Sequence, residues 1–241
     1  MKRKDSFMLG SFNICSAHFQ EKRYTDKNLR LIAGKIRESG ADVVALQEVD
    51  RGAERSKGVD MPDRLSEMSG LHHHYFIKIR DFEGGEYGTA ILCRFPIHEA
   101  ATLQYPVKVA TQGTSCGYVV LDVNGWLVTV FNTHLSVESE DANAETLDCL
   151  RDILRKRLEE HPEGFACCGD FNTLPDKVEE HIPFAAPVQH DLITYSDRSA
   201  IDNILCAGVR HAVRQQLGSP YAAGTDISGM RWQTKGNIYT A

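Results

Sequence analysis

The chain has 241 residues, 42% hydrophobic and 25% charged, and carries a net charge of −6 from 27 Lys and Arg against 33 Asp and Glu. That length suits one large domain or two small ones, with a substantial core. The acidic balance argues against a strong grip on long nucleic acid, which needs clustered Lys and Arg, and leaves room for local contacts with a phosphate. Seven cysteines are scattered without CxxC spacing, so neither a zinc site nor a disulfide framework is indicated, and a reducing, cytoplasmic setting is the simpler reading. The basic start, Met1 to Asp5, runs straight into a strand-like segment and lacks the apolar core of a signal peptide. An exported chain with its signal removed would read the same way. No run approaches the roughly 20 apolar residues of a membrane span.

Phe7 to Ile14 alternates loosely and predicts a strand, with Asn13 near its end. Asp26 is placed to cap a helix over 27–39, whose Leu29, Ile32, Ala33 and Ile36 share a face and which Gly40 stops. Asp42 to Glu48 is then a buried strand ending in polar residues, and strand–helix–strand is the pattern of a layered α/β protein. A short helix over 62–68 follows. His72, His73 and His74 cannot all point one way in a strand and read as surface residues. Gly84–Gly85 is a turn, and 87–92 a strand closed by Arg94–Phe95–Pro96.

Two runs, 118–123 and 126–131, flank Asn124–Gly125 and predict a hairpin. The second runs out into Asn132–Thr133–His134. A helix over 144–158 buries Leu147, Leu150, Ile153, Leu154 and Leu158. Phe165 to Cys168 is a short buried strand, where Gly169 lets the chain turn, and Asp170 and Asn172 sit two apart. In extended backbone such a pair faces one way, and a carboxylate with an amide there suits a hard cation, a water or a phosphate oxygen. After a loop region with Pro175, Pro183 and Pro187, 200–205 is a strand with Asp202 at an apolar position. A lone buried Asp costs several kcal/mol unless paired, so it asks for a histidine or a cation. With no repeat, low-complexity tract or linker, the chain reads as one domain over 1–241.

Several strands thus end in the same kind of polar residue: Asn13, Glu48, His134, Asp170 with Asn172, and Asp202. The ordered set resembles the endonuclease/exonuclease/phosphatase superfamily, the deoxyribonuclease-I-like fold. The matching pieces are 11–14 (Ser-Phe-Asn-Ile), 46–50 (Leu-Gln-Glu-Val-Asp), 87–92 (Tyr-Gly-Thr-Ala-Ile-Leu), 132–135 (Asn-Thr-His-Leu), 169–172 (Gly-Asp-Phe-Asn) and 201–205 (Ile-Asp-Asn-Ile-Leu). The resemblance implies a four-layer α/β sandwich of two mixed sheets packed face to face with helices outside. It also implies phosphoester hydrolysis assisted by Mg²⁺ or Mn²⁺. In that scheme Glu48 is the main metal carboxylate, helped by Asn13 and Asp226. Asp170 positions or deprotonates the attacking water. Asn172 and His134 hold the phosphate, Tyr87 contacts it, Arg51 joins the substrate-binding groups, and Asp202 pairs with a late histidine.

The chain departs from the family where that histidine belongs. Gly224–Thr225–Asp226–Ile227 keeps the Asp and has Ile227 in place of the His, and the segment after it does not read as a buried last strand. A nucleotide lost after the Asp226 codon would account for both. The alternative is a genuine variant, inactive or with another group such as His190 as the base. Three functions follow: a phosphodiesterase or phosphatase on a small or soluble phosphoester, a DNA-repair-type nuclease, or a catalytically silent phosphate-binding protein. Specificity is expected in loops over 50–63, 79–86 and 102–116. Oligomeric state is not legible.

Overall fold

The computed structural model describes residues 7–18, 23–112, 114–187 and 201–207, with backbone alone at 186–187 and 212–214. Asp226, Ile227 and His190 lie outside the described residues, as does the atypical C-terminal segment. The described part is a four-layer sandwich, as the resemblance implies. One sheet has the order β11-β1-β2-β4-β3, built from β1 (Phe7–Asn13), β2 (Val43–Arg51), β3 (His73–Phe82), β4 (Gly85–Cys93) and β11 (Ala212–Arg214). The other has the order β5-β6-β7-β8-β10-β9, from β5 (Ile97–Gln104), β6 (Ser115–Val123), β7 (Trp126–His134), β8 (Phe165–Asp170), β9 (Ala186–Pro187) and β10 (Asp202–Ala207). Both are mixed: β1 runs parallel to β2 and β11, β7 parallel to β8, and the remaining neighbours are antiparallel.

Helices α1 (Asp26–Ser39) and α2 (Met61–Ser69) cover the first sheet, where Leu29, Ile32 and Ile36 pack on Val44 and Leu46. Helix α3 (Glu140–Glu160) covers the second with the short α4 (Pro175–His181), burying Leu147, Leu150 and Leu154 against Phe131 and Phe165. A third cluster fills the space between the sheets.

Local chemistry sets the element ends. Thr25 rather than Asp26 caps α1, its hydroxyl accepting the Asn28 N–H at 3.1 Å, and Asp26 is the first helical residue, near the positive end of the dipole. Gly40 closes the helix at φ 67°. The hairpin forms as expected, with Asn124 and Gly125 at φ 57° and 92°. Helix α3 is longer than its apolar stripe predicts, because Ser139 caps it a turn earlier. The stretch 79–86 is not a loop: it is the paired ends of β3 and β4 around a tight turn.

Alternation along the strands explains where the polar residues go. On the inner face of the first sheet, Phe7, Leu9, Val43 and Ala45 give way to Ser11, Asn13 and Gln47 toward one end. On the facing sheet, Val130, Ala166, Cys168 and Ile204 give way to Asn132, His134, Asp170 and Asp202. The space between the sheets is dry at one end and polar at the other. At the boundary the fully buried Gln47 and Asn132 bridge the sheets: Gln47 Nε2 donates to Asn132 Oδ1 at 2.8 Å, and Asn132 Nδ2 donates to the Leu46 and Ala90 carbonyls, each at 2.9 Å.

Candidate active site

Glu48 reaches the polar end through a bulge. The pairing of β2 with β4 jumps from Leu46↔Ala90 to Val49↔Gly88, and Glu48 stands at φ 55°. Leu46 and Val49 both pack on the helix side, so two residues rather than one lie between them. The extra residue lets Gln47 and Glu48 both leave the helix-covered face.

Register assembles the second half. His134 pairs with Asp170 across β7 and β8, and Asp202 pairs with Asp170 across β8 and β10. The three side chains are lateral neighbours on one face. Asp170 ends β8, and Asn172 follows at φ 48°, its N–H donating to Asp170 Oδ1 at 3.0 Å. Asp170 and Asn172 therefore meet through an Asx-type turn, not through the extended spacing expected from sequence. Gly169 lies within β8 and serves close approach, not turning: a Cβ there would sit 2.7 Å from Thr133 Cγ2 and 2.8 Å from the Thr133 carbonyl oxygen.

Asn13 ties the halves together. Its amide nitrogen donates to Glu48 Oε1 at 2.9 Å and to Asp170 Oδ2 at 3.0 Å, while its oxygen accepts the Cys15 N–H at 3.0 Å. That last bond fixes which end of the amide faces the carboxylates. His134 Nε2 stands 3.8 Å from Asp170 Oδ2, an ion-pair distance rather than a hydrogen bond. Asn172 Nδ2 donates to the Leu135 carbonyl at 2.9 Å, and its other N–H has no acceptor among the described residues.

Burial pushes the Asp170 carboxyl above its usual range, against the opposing pull of His134, the Asn13 amide and the Asn172 N–H. The result is a carboxylate more basic than an ordinary Asp. Burial, with the Glu48 charge adding to it, also keeps the Tyr87 phenol protonated far above its ordinary range, so it remains a donor at any working pH. Tyr87 lies across from Asp50 in register, under the guanidiniums of Arg55 and Arg80.

Arg51 is placed apart from this cluster. It shares the helix-side face with Val49, donates to Glu86 Oε2 at 2.6 Å and lies 4.3 Å from the centre of the Phe76 ring. Sequence reading missed Asp50, Arg55 and Ser16, a hydrogen-bonded group directly behind Glu48. The Leu-Gln-Glu-Val-Asp stretch contained Asp50, but its half-buried partner five residues on, Arg55, had no periodic signal.

A divalent ion is part of the family's chemistry, and the donor set bears on it. Glu48 Oε2 accepts no hydrogen bond among the described residues, so one carboxylate oxygen is open. A hard cation that keeps waters needs only one or two carboxylates, with phosphate oxygens completing its shell. Glu48 fits that role. Asn13 does not as placed, because its oxygen is occupied and its nitrogen faces the site. No group of three or more His, Cys, Asp or Glu among the described residues forms an ion cage, His72 to His74 included.

The loop between β5 and β6 lies at the same end. Glu145 of α3 accepts the backbone N–H groups of Lys108, Val109 and Ala110 at 2.6–3.1 Å, and Glu138 accepts those of Thr111 and Gln112 at 2.9–3.0 Å. No helix among the described residues is long and apolar enough to cross a membrane.

The Endonuclease/Exonuclease/phosphatase family profile matches residues 10–226. The chain belongs to this family. None of the curated proteins matches it. Among solved structures, this family member resembles an endonuclease/exonuclease/phosphatase from Beutenbergia cavernae DSM 12333 at 20% identity and TM-score 0.66, over 82% of this chain and 63% of that one. It therefore spans less than two thirds of that relative's length. A mannosyl-6-phosphatase of Bacteroides thetaiotaomicron VPI-5482 aligns at 13% identity and TM-score 0.65 over 86% and 88% of the two chains. Sphingomyelinase C of Streptomyces griseocarneus aligns at 16% and 0.64 over 86% of each. At these identities the likeness is one of fold, shared by proteins with different substrates.

Proposed function

We propose that this family member is a metal-dependent phosphoester hydrolase that uses a water positioned by Asp170 for in-line attack. The observation that carries the reading is the Asn13 amide bridging Glu48 and Asp170 at 2.9 and 3.0 Å, beside His134, where strands of both sheets end. An Asp of raised basicity suits alignment and deprotonation of a water. The free N–H of Asn172, the His134 ring and the Tyr87 hydroxyl supply donors for the extra negative charge of the transferring phosphoryl group. Mg²⁺ or Mn²⁺ at Glu48 would supply Lewis acidity toward a phosphoryl oxygen. Asn13 keeps the two carboxylates in fixed relation. Asp202 lies buried beside Asp170 in the register of β8 and β10. The acidic net charge favours a small or soluble phosphoester over long nucleic acid.

The test is hydrolysis of an aryl phosphodiester and an aryl phosphomonoester with Mg²⁺, Mn²⁺ or EDTA, on the full chain and on Asp170→Asn. Turnover should require the metal and fall about a thousandfold in the variant. Metal-independent turnover, or an active Asp170→Asn, would remove the proposal. Running Ile227→His alongside separates an enzyme damaged at its C-terminus from one in which another group does the histidine's work.

A further inference from the structure

The backbone around Glu48 is under unusual constraint. Glu48 is left-handed at φ 55°, and just beyond Asn13 the consecutive residues Cys15, Ser16 and Ala17 stand at φ 49°, 47° and 57°. Non-glycine residues visit this region singly because Cβ crowds the following carbonyl, so such a run persists only where its surroundings over-determine it. Here the turn is tied at each step. Asn13 Oδ1 accepts the Cys15 N–H at 3.0 Å, the Ala17 N–H reaches the Ile14 carbonyl at 2.9 Å, and the His18 N–H reaches the Cys15 carbonyl at 2.8 Å.

The turn aims Ser16 at the bulge. Its Oγ lies 3.1 Å from the Glu48 carbonyl oxygen and 3.1 Å from Asp50 Oδ1. A hydroxyl has one proton to give. Arg55 holds the hydroxyl and the carboxylate in place. Its Nε donates to Asp50 Oδ2 at 2.8 Å and its Nη2 to Asp50 Oδ1 at 2.7 Å, with the Ser56 hydroxyl donating to the same carboxylate. The buried Asp50 is therefore gripped through both of its oxygens. Arg55 Nη2 also donates to Ser16 Oγ at 2.8 Å, so the hydroxyl is held between the Glu48 carbonyl and Asp50 Oδ1, the two acceptors within its reach. That carbonyl belongs to the bulge, where the ladder is interrupted.

We propose that Ser16, Asp50 and Arg55 are positioning residues that lock the left-handed backbone of Glu48 and so aim its open carboxylate oxygen at the bound ion. None of the three needs to touch substrate. The chain of contacts runs from guanidinium to carboxylate and hydroxyl, and from hydroxyl to the peptide carrying Glu48. The inference rests on the reading of Glu48 as the ion's carboxylate.

The experiment is equilibrium binding of Mn²⁺ to the full chain, read from the spectroscopic signal of the free ion, for the parent, Ser16→Ala, Arg55→Lys and Arg55→Gln. Thermal unfolding of the apo proteins is followed in parallel. Loss of an outer contact of this kind weakens metal affinity about ten- to a hundredfold. Ser16→Ala should fall in that range while the apo protein still unfolds cooperatively. Arg55→Lys keeps the charge, loses the fork and should bind between the parent and Arg55→Gln. A merely structural role predicts lower unfolding temperatures with Mn²⁺ affinity unchanged. Parent-like Mn²⁺ binding by Ser16→Ala would overturn the inference, and that variant serves even if Arg55→Gln does not fold. A parent that binds no Mn²⁺ would instead remove the reading of Glu48 on which the inference stands.

Discussion

Asp170 carries two opposed demands in one side chain. It is nearly sealed from solvent, which favours its neutral form, and it is surrounded by donors, which favour its charged form. Burial wins, so the folded carboxyl binds a proton at higher pH than the unfolded value of about 3.9. The folded state then takes up its proton first as pH falls, and the charged form is a cost that grows as pH rises through the folded value. Asp170→Asn removes this titration. The stability of the parent relative to the variant should therefore rise on acidification from about pH 8 toward about pH 4. Urea midpoints for the pair across that range check it, and a difference independent of pH would contradict a raised Asp170. The Asn13 amide works at the same scale. One end starts a turn and the other holds two acids, a division that its sequence position alone does not express.

Elements position these residues through register, and one contact shows how little slack there is. A methyl group at Gly169 would meet the backbone and side chain of Thr133, the residue before His134. Gly169→Ala should push β8 from β7, cost about 1–3 kcal/mol of stability and lower activity more than stability explains. Denaturant unfolding with assays at full folding checks both halves. Legibility from sequence also divided by element. The strand ends bearing Asn13, Glu48, His134 and Asp170 were readable because each follows an apolar run buried on both faces. Strands β3 and β5 were not, because both are edge strands with exposed and half-exposed residues throughout much of their length. Helix α4 buries Pro175 and Val178 alone, too few to set a period. The bulge at Glu48 was invisible because it exists only in the pairing of β2 with β4. So was the Asp50–Arg55 fork, whose members differ in face and element.

At the scale of the whole molecule, the two sheets are joined by more than hydrocarbon. Gln47 and Asn132 cross the interior at the level where the dry core ends, and Asn132 also serves two carbonyls of the opposite sheet. Asn132→Leu keeps the branched shape, adds some bulk and strips these partners. It should cost about 3 kcal/mol, the upper end for leaving a buried polar group unserved, seen as a lower urea midpoint with an unchanged slope. A neutral effect would mean that the amide bridge is ornamental. The site thus has a floor that is rigid and polar, with its walls formed by loops.

The loop over 107–112 is held quite differently from that floor. Glu138 and Glu145 grip it mainly through backbone N–H groups, which every residue except proline offers. Its order is therefore largely indifferent to which side chains it displays. Mutations there should change the displayed surface without dissolving the loop, so the fold tolerates variety at this rim while the floor beneath it stays fixed.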